Sequence, residues 1–145
     1  MTNVTSFGTT AAGIEVRKIT ITKGDLTAAI LTKGATLQSV RLAGVDHDLT
    51  LGSDTLSDYE GKMRHHGSLV APVVNRLADA RAPIGGKTFQ FEPNQSGKHT
   101  LHFGANGTQH KVWDIAEVTD SSNTRQSRVA LRSQGGPATT WRQGP

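Results

Sequence analysis

The stretch GIEVRKITITKGDLTAAILTKGATLQSVRLAG, residues 13–44, decides the fold class of this 145-residue chain. Apolar and polar residues alternate through three successive runs, which is the period of half-buried strands because neighbouring side chains point to opposite faces of a sheet. Short glycine turns at residues 23–25 and 33–34 separate the runs. Three strands joined by tight turns predict an antiparallel meander and an all-β fold.

The next segment predicts a fourth strand and one helix. Residues 44–52, GVDHDLTLG, form a short run that predicts the strand. Residues 53–62 predict the helix, capped by Ser53 or Asp54, because Leu56 begins an apolar pair at i, i+3 spacing. We expect little other helix in the chain.

The second half continues as strands and turns. Residues 67–74 are apolar and contain Pro72, so we expect a buried segment with an irregular edge. Residues 80–94 predict a hairpin whose turn is the pair Gly85 and Gly86, since a primed turn needs two positive φ angles. Two more strands are predicted around residues 111–118, with Trp113 in the core, and at residues 127–132.

Composition excludes several classes of function. The formal net charge is +4, but Lys and Arg are scattered singly without an aromatic platform, so we expect no nucleic-acid partner. There is no cysteine, hence no disulfide, thiol nucleophile or thiolate metal site. The sequence has no signal-peptide pattern and no apolar run of about 18 residues, which predicts a soluble, cytoplasmic protein without membrane contact.

The histidines do not form a recognisable metal site. His99 and His102 in HTLHFG would point to opposite faces of a strand, and the adjacent His65 and His66 have the same problem. We therefore expect no metal and no cofactor. No nucleophile stands beside a base in any familiar motif. Local chemistry alone leaves one exposed histidine and one arginine able to hydrogen-bond a polar ligand, although a histidine in a β-rich segment is more often structural.

Two stretches carry a resemblance to a known family. VAPVVNRLADARAPIGGKTFQFEPN (residues 70–94) and HTLHFGANGTQHKVWDI (residues 99–115) resemble the aldose 1-epimerase (galactose mutarotase) family in the order and spacing of their motifs, and the likeness extends from Ile14 to Ala130. The resemblance implies a large, almost all-β sandwich. It also implies a hexose substrate whose α and β anomers are interconverted by a glutamate base and a histidine acid.

The resemblance implies three substrate-binding residues, Asn75, Arg76 and His102. Arg76 could instead neutralise Asp79 or cap a turn, and His102 could be a packed histidine. Phe103 replaces a family glycine, so we expect its ring either to crowd the site or to move His102, and we expect His99 to be an exposed neighbour. The resemblance places the acid histidine and the base glutamate of the family in segments that would follow residue 145, so no catalytic residue is assigned.

The domain organisation follows from the same resemblance. We expect residues 1–131 to be the N-terminal portion of an aldose 1-epimerase-like β-sandwich and residues 132–145 to be an irregular tail, for which a reading-frame shift near Arg132 is a hypothesis. The chain is then an incomplete epimerase that self-associates or needs a complementing chain. The alternative is a non-catalytic carbohydrate-binding β-domain, which should fold as a monomer. An RNA-binding β-domain is a third possibility and predicts strongly salt-dependent binding.

Overall fold

The computed structural model describes residues 1–120 and 127–132, and its largest element is a four-stranded antiparallel sheet, called the main sheet below. The strands follow each other in chain order and pair with their sequence neighbours, which confirms the predicted meander. The strands of the main sheet are β1 (Thr2–Thr9), β2 (Glu15–Lys23), β3 (Leu26–Leu31) and β4 (Thr36–Leu42).

The remaining described elements are smaller units. One α-helix, three 3-10 turns (Ala78–Ala80, Gly104–Asn106 and Thr108–His110) and three two-stranded antiparallel pairs, β5 with β8, β6 with β7 and β9 with β10, complete the described fold. Strands therefore dominate, and the prediction of an all-β fold is confirmed. The elements are α1 (Leu56–Glu60), β5 (Arg76–Leu77), β6 (Arg81–Ile84), β7 (Lys87–Gln90), β8 (Thr100–Leu101), β9 (Asp114–Asp120) and β10 (Ser127–Arg132).

The core lies where α1 packs against the main sheet. Val16 and Leu31 are fully buried beside Leu56 and Tyr59 of the helix. Phe7, Met63 and Val112 pack around this cluster, and the Phe7 ring meets Tyr59 edge-on with centroids 6.3 Å apart. Apolar burial at about 25 cal/mol per Å² is what holds the helix on the sheet.

The first strand was not predicted. Strand β1 has few apolar residues and therefore lacks the alternation that identifies a half-buried strand. It forms because its backbone pairs with β2 from Thr2 opposite Ile21 to Thr9 opposite Glu15, and most of its side chains stay exposed. A polar edge strand of this kind is held by its ladder rather than by burial.

The predicted strand at residues 44–52 is wrong. The Asp48 carboxylate accepts hydrogen bonds from the backbone N–H groups of Val40, at 3.0 Å, and Thr50, at 2.8 Å. It also accepts from the hydroxyls of Ser39 and Thr50. These local bonds take the place of a strand ladder and hold the pKa of Asp48 far below its ordinary value, with the Ser39 hydroxyl as the largest cause.

The predicted helix is confirmed, but its predicted caps are wrong. The N-cap residue is Thr55, and it makes no capping bond through its side chain. The Ser53 hydroxyl donates instead to the Asp58 carboxylate at 2.6 Å and accepts from the backbone N–H of Thr55 at 3.1 Å. Ser53 thus joins the loop to the first turn from outside the cap position.

The apolar segment at residues 67–74 is irregular, as predicted, but the prediction that it is buried is wrong. Leu69 is 48% exposed and Val74 is 65% exposed. The segment is tied to the main sheet through its backbone, since Leu37 donates to the Gly67 carbonyl and Leu69 donates to the Gly34 carbonyl, both at 2.9 Å. Backbone anchoring leaves its side chains free to point away from the core.

The predicted hairpin and the last two strands are confirmed. Gly85 and Gly86 have φ angles of 58° and 77°, as a primed turn requires. Trp113, which was expected in the core, is only half-buried, and its indole N–H donates to the Thr108 carbonyl at 3.2 Å. The expected tail lies outside the described residues from position 133 onward. None of the helices described for this chain has the length and apolar character needed to cross a membrane.

Candidate functional site

Two short strands bring the predicted binding residues together. Arg76 of β5 pairs with Leu101 of β8, so Asn75 and His102 meet just beyond the end of this ladder. The backbone N–H of His102 donates to the Asn75 carbonyl at 2.9 Å. The structure therefore places Asn75, Arg76 and His102, which are separated by up to 27 positions in sequence, at one point on the surface.

The backbone at this point is left-handed. Asn75 has φ 62°, His102 has φ 51° and Phe103 has φ 63°. Asparagine and histidine adopt this conformation more readily than most residues, but for phenylalanine it costs about 1 kcal/mol. Such strain persists only where neighbouring contacts enforce it, and it concentrates at functional sites.

The three residues form one hydrogen-bonded unit in which Asn75 contributes both its backbone and its side chain. The Nδ1 atom of His102 accepts from the backbone N–H of Asn75 at 3.1 Å, which assigns the proton of the neutral ring to Nε2. The Arg76 guanidinium donates through Nη1 to the Asn75 side-chain oxygen at 2.8 Å and through Nε to Gln95 at 2.5 Å. Arg76 is exposed and His102 is half-buried, and their other N–H groups are donors of the kind that a ligand rich in oxygen atoms needs.

Arg76 does not neutralise Asp79. The Asp79 carboxylate lies 3.6 Å from Lys98 and 3.9 Å from Arg81 instead. Arg76 therefore keeps its positive charge without a carboxylate partner among the ion pairs of the described residues, and the side chains that accept its hydrogen bonds, Asn75 and Gln95, are neutral amides. A guanidinium held in this way can polarise the oxygen atoms of an uncharged ligand.

A buried glutamine fixes the other side of His102. Gln109 is 2% exposed, and its side-chain amide donates to the His102 carbonyl at 2.9 Å. The neighbouring Thr108 hydroxyl donates to the Leu69 carbonyl at 2.6 Å, which ties the same turn to the segment before β5. Gln109 and Gln95 were not predicted, because a lone glutamine in a polar loop carries no recognisable signal.

Phe103 does not crowd the site, so the first of the two expectations for its ring is wrong. The left-handed backbone turns its side chain inward, where it is 5% exposed and meets Phe91 edge-on with ring centroids 5.8 Å apart. The expectation that His99 is exposed is also wrong. His99 is half-buried, because its Nδ1 atom accepts from the backbone N–H of Asp79 at 3.2 Å.

Two further histidines lie beside His102. The ring centroid of His65 is 4.8 Å from that of His102 and 6.2 Å from that of His110. Burial lowers the pKa of both His65 and His110, and neighbouring positive charges add to the effect. Within residues 1–120 and 127–132, no group of three or more potential ligands is arranged to hold a metal ion. In the sequence, His65 is recognisable only as half of an adjacent pair.

Comparisons with known proteins agree with the motifs. A family model described as aldose 1-epimerase matches residues 17–141. The chain is similar to galactose mutarotase from Mus musculus, with 30% identity over 113 residues, and to galactose mutarotase from Bos taurus, with 29% identity over 124 residues. The two matches cover 76% and 83% of this chain but only 33% and 35% of those relatives. The chain therefore spans about a third of the length of the curated relatives it matches.

Solved structures agree on the fold. The galactose 1-epimerase from Lactobacillus acidophilus NCFM superimposes with a TM-score of 0.71 at 24% identity, over 84% of this chain and 35% of that one. The GalM/aldose epimerase homologue from C. elegans has a TM-score of 0.63 at 33% identity, over 69% and 32% of the two chains. The predicted β-sandwich class is confirmed by this likeness and by the dominance of strands.

Proposed function

The chain belongs to the aldose 1-epimerase family, and from this premise we propose that Asn75, Arg76 and His102 form the hexose-binding part of a site that interconverts sugar anomers. The observation that carries the proposal is the fixed geometry of Arg76. Its guanidinium is held by Asn75 and Gln95, and the backbone of the same Asn75 holds the ring of His102, so one residue fixes both side chains that could donate to a sugar.

The chemistry of a hexose suits this arrangement. A sugar is uncharged and presents hydroxyl and ring oxygens as acceptors, so it is best recognised by convergent donors at fixed positions. Arg76 supplies a permanent charge that polarises these oxygens, and His102 supplies a neutral donor. Asn75 orients both, because its side-chain oxygen holds Arg76 while its backbone N–H holds His102.

Anomer interconversion also requires proton transfer. A base removes the proton of the anomeric hydroxyl and an acid protonates the ring oxygen, so that the ring opens and closes again on either face. We assign neither role to a residue of this chain. The three proposed residues act by holding the sugar and stabilising charge on its oxygens, which by itself is a binding function.

Two parallel measurements test the proposal: the binding of a hexose and the rate of anomer interconversion. We would titrate the purified chain with galactose while following backbone amide signals by NMR, and follow the interconversion of freshly dissolved α-galactose in parallel. Arg76→Ala and His102→Ala should each weaken binding about tenfold, as expected for the loss of a charged or well-placed hydrogen bond. Arg41→Ala is the matched control, since Arg41 is an exposed arginine on β4.

The outcomes separate the candidate functions. Acceleration of interconversion that both variants lose would support an epimerase site. Binding without acceleration would favour the alternative, a non-catalytic carbohydrate-binding β-domain. No binding by a chain whose spectrum shows that it is folded would contradict the proposal. Measurements at several chain concentrations would also test the predicted self-association.

A further inference from the structure

The imidazole of His65 lies against the imidazole of His102. Their ring centroids are 4.8 Å apart and their planes are tilted by 54°. The two residues come from separate segments, since His65 lies in the turn that follows α1 and His102 follows β8. This contact therefore exists only in the folded chain and joins the segment after α1 to the proposed hexose site.

The position of His65 is set by its own segment. The backbone N–H of His66 donates to the Met63 carbonyl at 2.9 Å and closes the turn around His65. Two residues after His65, Gly67 has φ 65°, and a Cβ there would overlap the carbonyl oxygen of Leu37. At Gly67 the backbone thus lies so close to β4 that a residue with a side chain would not fit there.

The contact between the two rings is one of packing rather than of charge. The Nδ1 atom of His65 is buried and has no hydrogen-bond partner within the described part of the chain. Burial is the main reason why the pKa of His65 lies below its ordinary value, so the ring is neutral near pH 7. The charged and titratable groups around His65 and its neighbour His110 are Arg64, His66, His102, Lys33 and Glu92, of which only Glu92 is acidic.

His102 needs such a support. One hydrogen bond, from the backbone N–H of Asn75 to Nδ1, ties its ring to the rest of the described chain. A half-turn of the ring would exchange Nδ1 with a carbon atom, lose this bond and move the Nε2–H donor to a different position. The left-handed backbone of His102 fixes the position of its Cβ atom. It does not fix the rotation of the imidazole about the Cβ–Cγ bond.

We propose that His65 is a positioning residue, whose ring keeps the His102 ring turned so that Nδ1 accepts from Asn75 and Nε2–H is presented to a hexose. The hexose part rests on the proposed function. The part that concerns the orientation of the His102 ring is independent of the proposed function, because that orientation can be measured without any sugar.

The experiment records the ring nitrogens of the 15N-labelled full chain by long-range 1H–15N NMR, which reports which nitrogen of each imidazole carries the proton. The variants are His65→Ala, His65→Phe, which keeps an aromatic ring, and His66→Ala as the matched control at the adjacent histidine. Wild type should show His102 protonated at Nε2. His65→Ala should give a mixture of the two tautomers and weaken galactose binding about fivefold, the scale of one hydrogen bond.

His65→Phe and His66→Ala should both retain the Nε2–H tautomer and bind galactose within about twofold of wild type. An unchanged His102 tautomer in a folded His65→Ala chain would overturn the proposal. So would a His65→Phe chain that behaves like His65→Ala, because the ring itself would then not be the support. If galactose does not bind wild type at all, the proposed function fails while the tautomer still decides the role of His65.

A pH titration of wild type tests the same contact without a variant. Protonation of His65 places a charge beside the His102 ring, so the amide signal of Asn75 should shift as His65 titrates, below pH 6.5. An Asn75 amide signal that does not change as His65 titrates would overturn the proposal.

Discussion

Strands of six to nine residues pair along their length in the main sheet, whereas β5 and β8, which carry the proposed site, are two residues long each. The site lies in residues 63–110, called the site segment below. Among the residues that the structure describes, seven non-glycine residues have positive φ, of which six lie in the site segment and Ala35 lies in a turn of the main sheet. Short ladders and side-chain bonds to backbone groups hold the site segment, while long ladders and a buried core hold the main sheet.

This difference indicates which changes should affect stability and which should affect binding. The free energy of unfolding depends mainly on buried apolar area, which is concentrated between the main sheet and α1. The geometry of Asn75, Arg76 and His102 depends on a few hydrogen bonds, each of which contributes about 1 kcal/mol. Substitutions in the two regions should therefore separate the two properties.

The largest effect is expected from Leu31→Ala in the main sheet. Leu31 is fully buried, so its truncation should lower the free energy of unfolding by about 3 kcal/mol, measured by urea denaturation. Leu26→Ala on the same strand is the control, because Leu26 is 46% exposed and should lose less than about 1 kcal/mol. Galactose affinity of the folded fraction should not change. A loss of affinity in step with stability would show that the two regions are not separable.

Gly67→Ala should affect both regions. Gly67 and Gly13 both have positive φ angles, of 65° and 79°, so alanine at either position should cost about 1 kcal/mol of unfolding free energy. At Gly67 the new Cβ would also overlap the Leu37 carbonyl, whereas at Gly13 it meets nothing within 4 Å. We therefore expect Gly67→Ala to cost about 2 kcal/mol in all and to weaken galactose binding. Equal costs at the two glycines would contradict the close approach of residue 67 to β4.

Gln109→Leu should disturb the site more than the sheet. The substitution keeps the buried volume but removes the donor to the His102 carbonyl, which should cost about 1 kcal/mol of unfolding free energy. Because that carbonyl belongs to the strained residue of the site, galactose affinity should fall as well. Gln90→Leu is the comparison, since Gln90 donates to the Ala80 carbonyl outside the proposed site. If both variants bind galactose as wild type does, Gln109 has no part in shaping the site.

The smallest expected effect is on the pH dependence of the free energy of unfolding, which should differ between the main sheet and the site segment. The pKa values of His65 and His110 are lowered, mainly by burial, so their contribution to stability is complete above pH 6.5 and is lost as pH falls below it. The pKa of Asp48 is also lowered, so its contribution beside the main sheet is lost only below pH 3.8. The urea midpoint should fall in two steps, and His65→Phe should reduce the upper step while Asp48→Asn reduces the lower one. A single step, unaltered by either variant, would contradict this assignment.

The sequence was most informative where one local rule decides the structure. Alternation predicted β2, β3 and β4, and the two adjacent glycines predicted the hairpin of β6 and β7. Strand β1 was not predicted, because an edge strand can pair through its backbone without alternating apolar and polar residues. The strand predicted at residues 44–52 failed because one carboxylate, Asp48, competes for the backbone hydrogen bonds that a ladder would use.

The site was predictable only as a set of residues. Motif order identified Asn75, Arg76 and His102, and the structure brings them together. Nothing in the sequence indicates that His65 would lie against His102, because that contact depends on how two distant turns are anchored. The inward direction of the Phe103 side chain could not be predicted either. It depends on a positive φ angle, which phenylalanine rarely adopts.

The junction of the two regions has a consequence for the order in which the chain assembles. Lys33 is almost fully buried, and its ammonium donates to the His110 carbonyl, 77 positions later in the sequence, at 2.7 Å. The backbone of Gly34 likewise donates to the Lys111 carbonyl. The meander needs only the first 42 residues, whereas this junction needs the chain to about residue 111. During synthesis the sheet can pair early, while the lysine amine stays hydrated until its distant partner has left the ribosome.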